Sequence, residues 1–549
     1  MKFCGNCGAG LTDGARFCGG CGRQVQEAQK AKSSLGLDPA PKNVGTPGPL
    51  DAESIEAISK TLFICPMRSA EPISALLKQL GATPLAISTG NDPDEIQANA
   101  VENLRALTAT KQVQYVCILG DWQAVPPFYL PNPAYEGGDS DEYCLTDAPY
   151  GIAGGISATS DSDILSYIPN MSVGRIPSGD PNLIERLLKS PLSNKSAAES
   201  LAVAVTAECW EEATDAIVGK ITHPGHLFGI SDSPVTNRSP EKKLLCSPSW
   251  DLHSITEVIA GHPLKPNSLI LFNVHGSNED TYWYGEGQFQ GCIPAFHPSA
   301  NGAFPNCVLM TEACYGGALG YNEPSMVEHF FARGGKAFVG CSVIAYGTAD
   351  ASLSGADIIA FNFINGLEDG MSFAEALNHS KLQVSVTDPE STDISFKTVM
   401  SFNLYGIPWQ KFSSHGAQSS GSDSTSSSSA IRERLRGRLD SIRGRVTDNL
   451  SDRREDYRAR VPEPLKRFIV DQALFLQQLA QFKDYAKIQK IVAGMGVDVN
   501  DCTLEKVSSK DFSGYRLRGD RQLGLGLKQT FQIVTTADGV VRKTIVSKG

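Results

Sequence analysis

A histidine and a cysteine are the residues of this chain whose placement best suits covalent chemistry. In "SLILFNVHGSNED" (268–280) an apolar run ends and delivers His275; in "CVLMTEACYGG" (307–317) a second run ends and delivers Cys314. A thiolate can attack a carbonyl carbon while an imidazole manages the protons. Gly276 has no Cβ, so its backbone N–H can approach a substrate oxygen, and with the N–H of Cys314 it makes a candidate oxyanion hole. Taken singly, a histidine after a strand is ordinarily a hydrogen-bonded residue and a cysteine is ordinarily packing. The two together, each at a strand end, favour a nucleophile with its acid/base partner.

A second chemistry lies at the N-terminus. "FCGNCG" supplies Cys4 and Cys7, and "FCGGCG" supplies Cys18 and Cys21. Two such knuckles arrange four thiolates tetrahedrally around one ion, and zinc suits four soft ligands with no redox duty. With no open coordination position, the zinc is structural. A module of this size has too little core to fold alone, so metal binding, worth about 10–16 kcal/mol, supplies its stability. Lys2, Arg16 and Arg23 are its basic residues, which favours protein contact over nucleic acid.

For His275 and Cys314 to meet, the strands before them must be neighbours in one sheet. Short apolar runs at 61–65, 84–88, 113–119, 201–206, 268–273, 307–311, 336–341 and 401–405 alternate with helical periods at 93–108, 181–190, 323–333 and 351–387. That alternation predicts an α/β fold with a doubly covered, mostly parallel sheet. In such sheets reactive groups collect at the carboxyl ends of strands.

The 549 residues exceed one core. Composition and patterning predict a zinc ribbon (1–25), a linker (26–50), an N-terminal α/β subdomain (51–195) and a catalytic subdomain (196–412). A Ser-rich linker (413–430), an Arg-rich amphipathic helix (431–460) and a small C-terminal α+β domain (461–549) follow. Ten of the eighteen residues at 413–430 are serine, too polar to build a core. Residues 431–460 carry ten arginines and a Leu/Ile/Val stripe from Ile431 to Leu450, which reads as a solvated helix docking by its apolar seam. "TFQIVTTADGVVRKTIVSKG" gives two alternating runs about an Asp-Gly turn, a hairpin signal, and 464–492 reads as helical. A net charge of −11 argues against nucleic acid and anionic membranes. The start has no apolar leader and no run reaches eighteen apolar residues, so the expectation is a cytoplasmic chain with no membrane span.

"NVHGS" followed by "TEACYGG" resembles the His-Gly and Ala-Cys motifs of the caspase-like cysteine peptidases. "YVCILGDWQAVPPF" (115–128), "SDEY" (140–143), "SVGRIP" (172–177) and "FNLYGIPW" (402–409) resemble landmarks of the gingipain branch over about 55–412, with Gly-Ile-Pro standing where that branch has Gly-Asp-Pro. The resemblance implies His275 as general acid/base and Cys314 as nucleophile. It implies Glu208, in "VTAECW", as the residue that orients His275. It places Ser342, Val343, Ile344 and Tyr346 along the primary specificity pocket, with Asp215 as the candidate acid at its base. It also makes Asp121, Asp139, Asp141 and Glu142 candidate calcium ligands, against an ordinary polar loop. The N-terminal module looks like the zinc ribbons attached to many bacterial proteins.

The function expected is therefore an intracellular cysteine endopeptidase acting on a specific protein substrate. Its zinc ribbon or C-terminal domain would bind a regulatory protein, by analogy with bacterial defence systems. If the pocket takes a basic residue, "RERLRGRLDSIRGR" is a candidate self-cleavage or regulatory stretch. The alternative is a catalytically silent caspase-like scaffold that recruits partners through its terminal modules; intact His275, Gly276 and Cys314 disfavour it.

Overall fold

Alternation with period two is written into the central strands, and the fold buries both faces of it. Leu269 and Leu271 point to one side, with Val308 and Met310 of the next strand; Ile270 and Phe272 point to the other, with Leu309. A strand apolar on both faces belongs inside a sheet covered by helices on each side.

The computed structural model describes residues 2–3 and 10–11 and, with breaks, 50–190, 203–219, 244–255, 268–412 and 466–548. Met1–Lys42 and Asn43–Gly549 are separate compact units. In the first, Lys2–Phe3 pairs antiparallel with Gly10–Leu11. Cys4, Cys7, Cys18 and Cys21 lie outside the described residues, as do the Ser-rich segment and the Arg-rich stretch.

The second unit is organised by ten strands: β1 (Thr61–Pro66), β2 (Thr83–Ile87), β3 (Tyr115–Leu119), β4 (Ser172–Ile176), β5 (Val203–Ala207), β6 (Leu244–Ser247), β7 (Leu269–Asn273), β8 (Val308–Thr311), β9 (Ala337–Cys341) and β10 (Phe402–Gly406). Their order is β6-β5-β7-β8-β9-β10-β4-β3-β1-β2. All neighbours are parallel except β9 and β10, which join two parallel halves antiparallel. One continuous mixed sheet, mostly parallel, thus runs through both expected subdomains. Gly406 closes β10 at φ +129°, a conformation that favours glycine, with its Cα packed against Lys336 and Ala337.

Eight strands fall within one or two residues of the positions expected. β4 and β6 are additional. In β4 the sequence "SVGRI" carries an arginine, which masks a buried strand. Arg175 is fully buried and donates to both oxygens of Asp147 at 2.7 Å, so its charge is neutralised inside the fold. The helical stretch 351–387 divides into Ala356–Glu368 and Phe373–Thr387, because Gly370 turns the chain at φ +74°.

The C-terminal part is a second sheet: β11 (Lys466–Ile469), β12 (Thr503–Ser508), β13 (Ser513–Gly524), β14 (Leu527–Thr536) and β15 (Val541–Ser547), paired antiparallel in that order. β14 and β15 flank the expected Asp538–Gly539 turn. The helical expectation for 464–492 is corrected in part. Strand β11 comes first, and helices Gln472–Leu479 and Tyr485–Gly494 follow. The sheet continues beyond β15 onto Tyr346–Thr348, a short strand supplied by the 268–412 segment. Among the described residues no helix is long and apolar enough to cross a membrane.

Candidate active site

β7 and β8 are neighbouring parallel strands, with Leu269 opposite Val308 and Phe272 opposite Thr311, so both chains leave the sheet at the same edge. Two residues past β7, His275–Gly276 pairs antiparallel with Trp283–Gly287, which pairs in turn with Gly291–Phe296. This small sheet fixes His275 over the end of β8. Gly276 then packs on the main chain of Cys314 so closely that a Cβ there would stand 2.0 Å from the Cys314 carbonyl oxygen. No other residue fits the contact.

His275 is fully buried, and its Nε2 lies 2.9 Å from Oε2 of Glu286, on the paired strand. Burial pushes the Glu286 carboxyl up, but its bonds to His275 and the neighbouring Arg521 bring it below the ordinary glutamate value. An ionised Glu286 can only accept, so Nε2 carries the imidazole proton and Nδ1 offers a lone pair. Nδ1 has no hydrogen-bond partner among the described residues. Trp210 covers the ring at a centroid distance of 4.3 Å. Burial lowers the His275 pKa against the raising influence of Glu286, so the imidazole rests neutral.

Cys314 is buried as well. Its thiol donates to the Ala345 carbonyl at 3.6 Å, and the Ala345 N–H donates back to Sγ at 3.2 Å. Burial pushes the thiol pKa up strongly, which leaves the sulfur protonated at rest. The site therefore holds a neutral thiol at Cys314 and a neutral, oriented imidazole at His275.

Comparison with known proteins adds one match at the N-terminus: residues 3–25 fit the family model of a zinc-ribbon domain. No curated protein matches the chain. Among solved structures, one described as a protease is 11% identical at a TM-score of 0.44, covering 88% of this chain and 90% of that one. The Saccharomyces cerevisiae separase–securin complex is 11% identical at a TM-score of 0.25, covering 44% of this chain and 14% of that one. At these scores the likenesses carry no weight for the site, which rests on its own geometry.

The other expected site residues are dispersed. Glu208 is exposed in the turn Glu208–Trp210, and the carboxylate on His275 is Glu286 instead. Asp215 lies half-buried on helix Glu211–Gly219. Ser342 donates to the Leu145 carbonyl at 2.6 Å, the Val343 carbonyl accepts from Tyr315 N–H, and Ile344 N–H donates to Asp141. These three bond to the segments around Leu145, Tyr315 and Asp141. Tyr346 begins the short strand Tyr346–Thr348, with its hydroxyl donating to Asp139.

Asp139 and Asp141, named as calcium ligands, share the buried Lys397 ammonium at 2.5 and 2.8 Å, so a side-chain cation already sits between them. Asp121 accepts from the N–H groups of Gln123 and Ala124, and Glu142 is exposed. Cys209, His275 and Glu286 bring potential metal-ligand atoms within 4.8 Å of one another. Arg521 donates to both oxygens of Glu286, at 2.7 and 2.9 Å, and its charge opposes a second cation there.

Reading the sequence missed Glu286, Trp210, Glu312, Asp357 and Arg521. Glu286 had a signal: it is a carboxylate within the short, otherwise apolar and glycine-rich strand "WYGEG". Glu312, two residues before Cys314, had one too. Asp357 and Arg521 are remote in sequence and had none.

Proposed function

We propose that residues 50–412 form a caspase-like cysteine endopeptidase of the gingipain type, with Cys314 as nucleophile and His275 as acid/base. The observation that carries this reading is the packing of Gly276 on the Cys314 main chain, with His275 beside it, oriented by Glu286 and open at Nδ1.

The chemistry follows from these atoms. Nδ1 of His275 takes the thiol proton as Sγ attacks the substrate carbonyl carbon. The negative charge that develops on oxygen is met by the Gly276 N–H, with the Cys314 N–H as second donor. His275 returns the proton to the departing amine, leaving an acyl-thioester on Cys314. Water, deprotonated by the same nitrogen, hydrolyses it. Glu286 holds the ring and steadies the imidazolium; Trp210 keeps water from its face.

The test is incubation of the wild type and Cys314→Ala with a diverse peptide pool, followed by mass-spectrometric sequencing of new termini. Termini that appear with wild type and vanish with Cys314→Ala support the assignment. Equal products from both proteins refute it.

A further inference from the structure

The cleft beside Cys314 is occupied by the chain itself. β15 pairs antiparallel with Tyr346–Thr348, with Ile545 opposite Thr348 and Ser547 opposite Tyr346. The next residue continues the ladder: Lys548 N–H donates to the Ala345 carbonyl at 2.9 Å. The Lys548 carbonyl oxygen then accepts from the Gly276 N–H at 3.1 Å, the donor assigned above to the reacting oxygen. An extended strand added to a sheet edge, with its carbonyl on that donor, is how a peptide is presented for attack.

The Lys548 side chain enters a pocket made for it. Its ammonium is fully buried, 2.7 Å from Asn273 Oδ1, 3.0 Å from Asp357 Oδ1 and 3.3 Å from Glu312 Oε2, and 4.4 Å above the Trp210 ring. Asp357 is itself anchored, its Oδ2 accepting from Thr348 N–H at 2.7 Å. Gly347 leaves the room required: a Cβ there would stand 2.5 Å from Lys548 Cε and 2.6 Å from Asp357 Oδ1. The Asp357 carboxylate, an amide oxygen and an indole face are costly to enclose unless a cation meets them. Burial and the neighbouring Asp357 push the Glu312 carboxyl well above the ordinary glutamate value, so it joins them as the neutral member of the pair. Arg521, from the same C-terminal sheet, also holds Glu286, the partner of His275.

We propose that this pocket is a lysine-recognition site, with Asp357 as its selecting acid and Glu312 beside it, and that segment Val541–Lys548 occupies it as an internal competitor of peptide substrates. The assignment rests on the peptidase reading of Cys314. Because the segment is tethered, it acts at a high effective concentration, and an outside peptide enters only when β15 is displaced.

The test uses the full chain with two readouts. The first is the rate of Cys314 alkylation by iodoacetamide, followed by peptide mass spectrometry. The second is turnover of a fluorogenic Ile-Val-Ser-Lys amide. Lys548→Ala, and independently Lys548→Glu, which sets a second carboxylate against Asp357, should raise both rates at least tenfold. A synthetic Val541–Lys548 peptide amide should suppress both again by competition. In the Lys548→Ala background, Asp357→Asn should lower the preference for lysine over leucine at the cleaved position. Equal alkylation of wild type and both Lys548 variants would overturn the occupancy, and an unchanged preference would overturn the pocket. Faster alkylation with no Cys314-dependent turnover would leave the occupancy standing and remove the peptidase reading instead.

Discussion

His275 reaches Glu286 through Nε2 at 2.9 Å, and its other nitrogen, Nδ1, has no hydrogen-bond partner among the described residues. One carboxylate thereby sets the tautomer, the ring orientation and the basicity of the proposed base. Glu286→Gln removes the interactions that raise the His275 pKa, and burial and Arg521 continue to lower it. The imidazolium then forms at lower pH than in the parent, which a histidine NMR titration reads directly. In the Lys548→Ala background, kcat should fall by about 10²-fold or more, with KM little changed.

Displacing β15 acts on the same group in the opposite direction. Lys548 is a charge that lowers the His275 pKa. Lys548→Ala should therefore raise the pKa seen by NMR. The alkaline limit for imidazolium moves upward, and the shift should vanish when the Val541–Lys548 peptide amide is added back.

Gly276→Ala has no room. The added methyl would stand 2.0 Å from the Cys314 carbonyl oxygen, so the two strand ends must separate. Overpacking of this kind costs about 1–3 kcal/mol. The expected result is a lowered thermal midpoint with Cys314-dependent turnover lost, measured by calorimetry and by the fluorogenic peptide.

Arg516 on β13 donates to both oxygens of Asp393 at 2.9 and 3.0 Å, with both groups buried. Asp393 lies on helix Thr392–Ser401, between β9 and β10 of the large sheet, so this pair fastens the C-terminal sheet to it. Arg516→Met strands a buried carboxylate and should cost about 3–5 kcal/mol in urea unfolding. It should also speed Cys314 alkylation by loosening β15. Adding Asp393→Leu should recover part of the stability, because Asp393 is then no longer a stranded charge, while Glu505, opposite Arg516 on the neighbouring strand, still lacks its cation.

At the N-terminus, the zinc-ribbon match at residues 3–25 predicts one zinc per chain by elemental analysis. Cys4→Ser or Cys18→Ser should abolish it, since loss of one thiolate opens the tetrahedral shell. Chelation should expose residues 1–42 to limited proteolysis while the thermal midpoint of the 43–549 unit stays unchanged.

Strand positions were legible because a buried parallel strand must be apolar on both faces; β1, β3, β7, β8 and β9 announce themselves this way. β4 did not, since Arg175 becomes a core residue only when Asp147 folds against it. His275, Gly276 and Cys314 could be singled out because each stands where an apolar run stops, and Cys4, Cys7, Cys18 and Cys21 because their spacing is itself the motif. Glu286 could not be chosen over Glu208 from order along the chain. Which carboxylate faces His275 depends on the pairing of His275 with Tyr284, a contact between strands rather than a spacing. The pocket was further out of reach: Asn273, Glu312, Asp357 and Lys548 are scattered from the middle of the chain to its last residues. By itself the sequence determined the chemistry available, a thiol, an imidazole and a four-cysteine knuckle. Tertiary structure alone decided what that chemistry faces, because the β15 pairing with Tyr346–Thr348 sets a lysine from the far end of the chain against the cysteine.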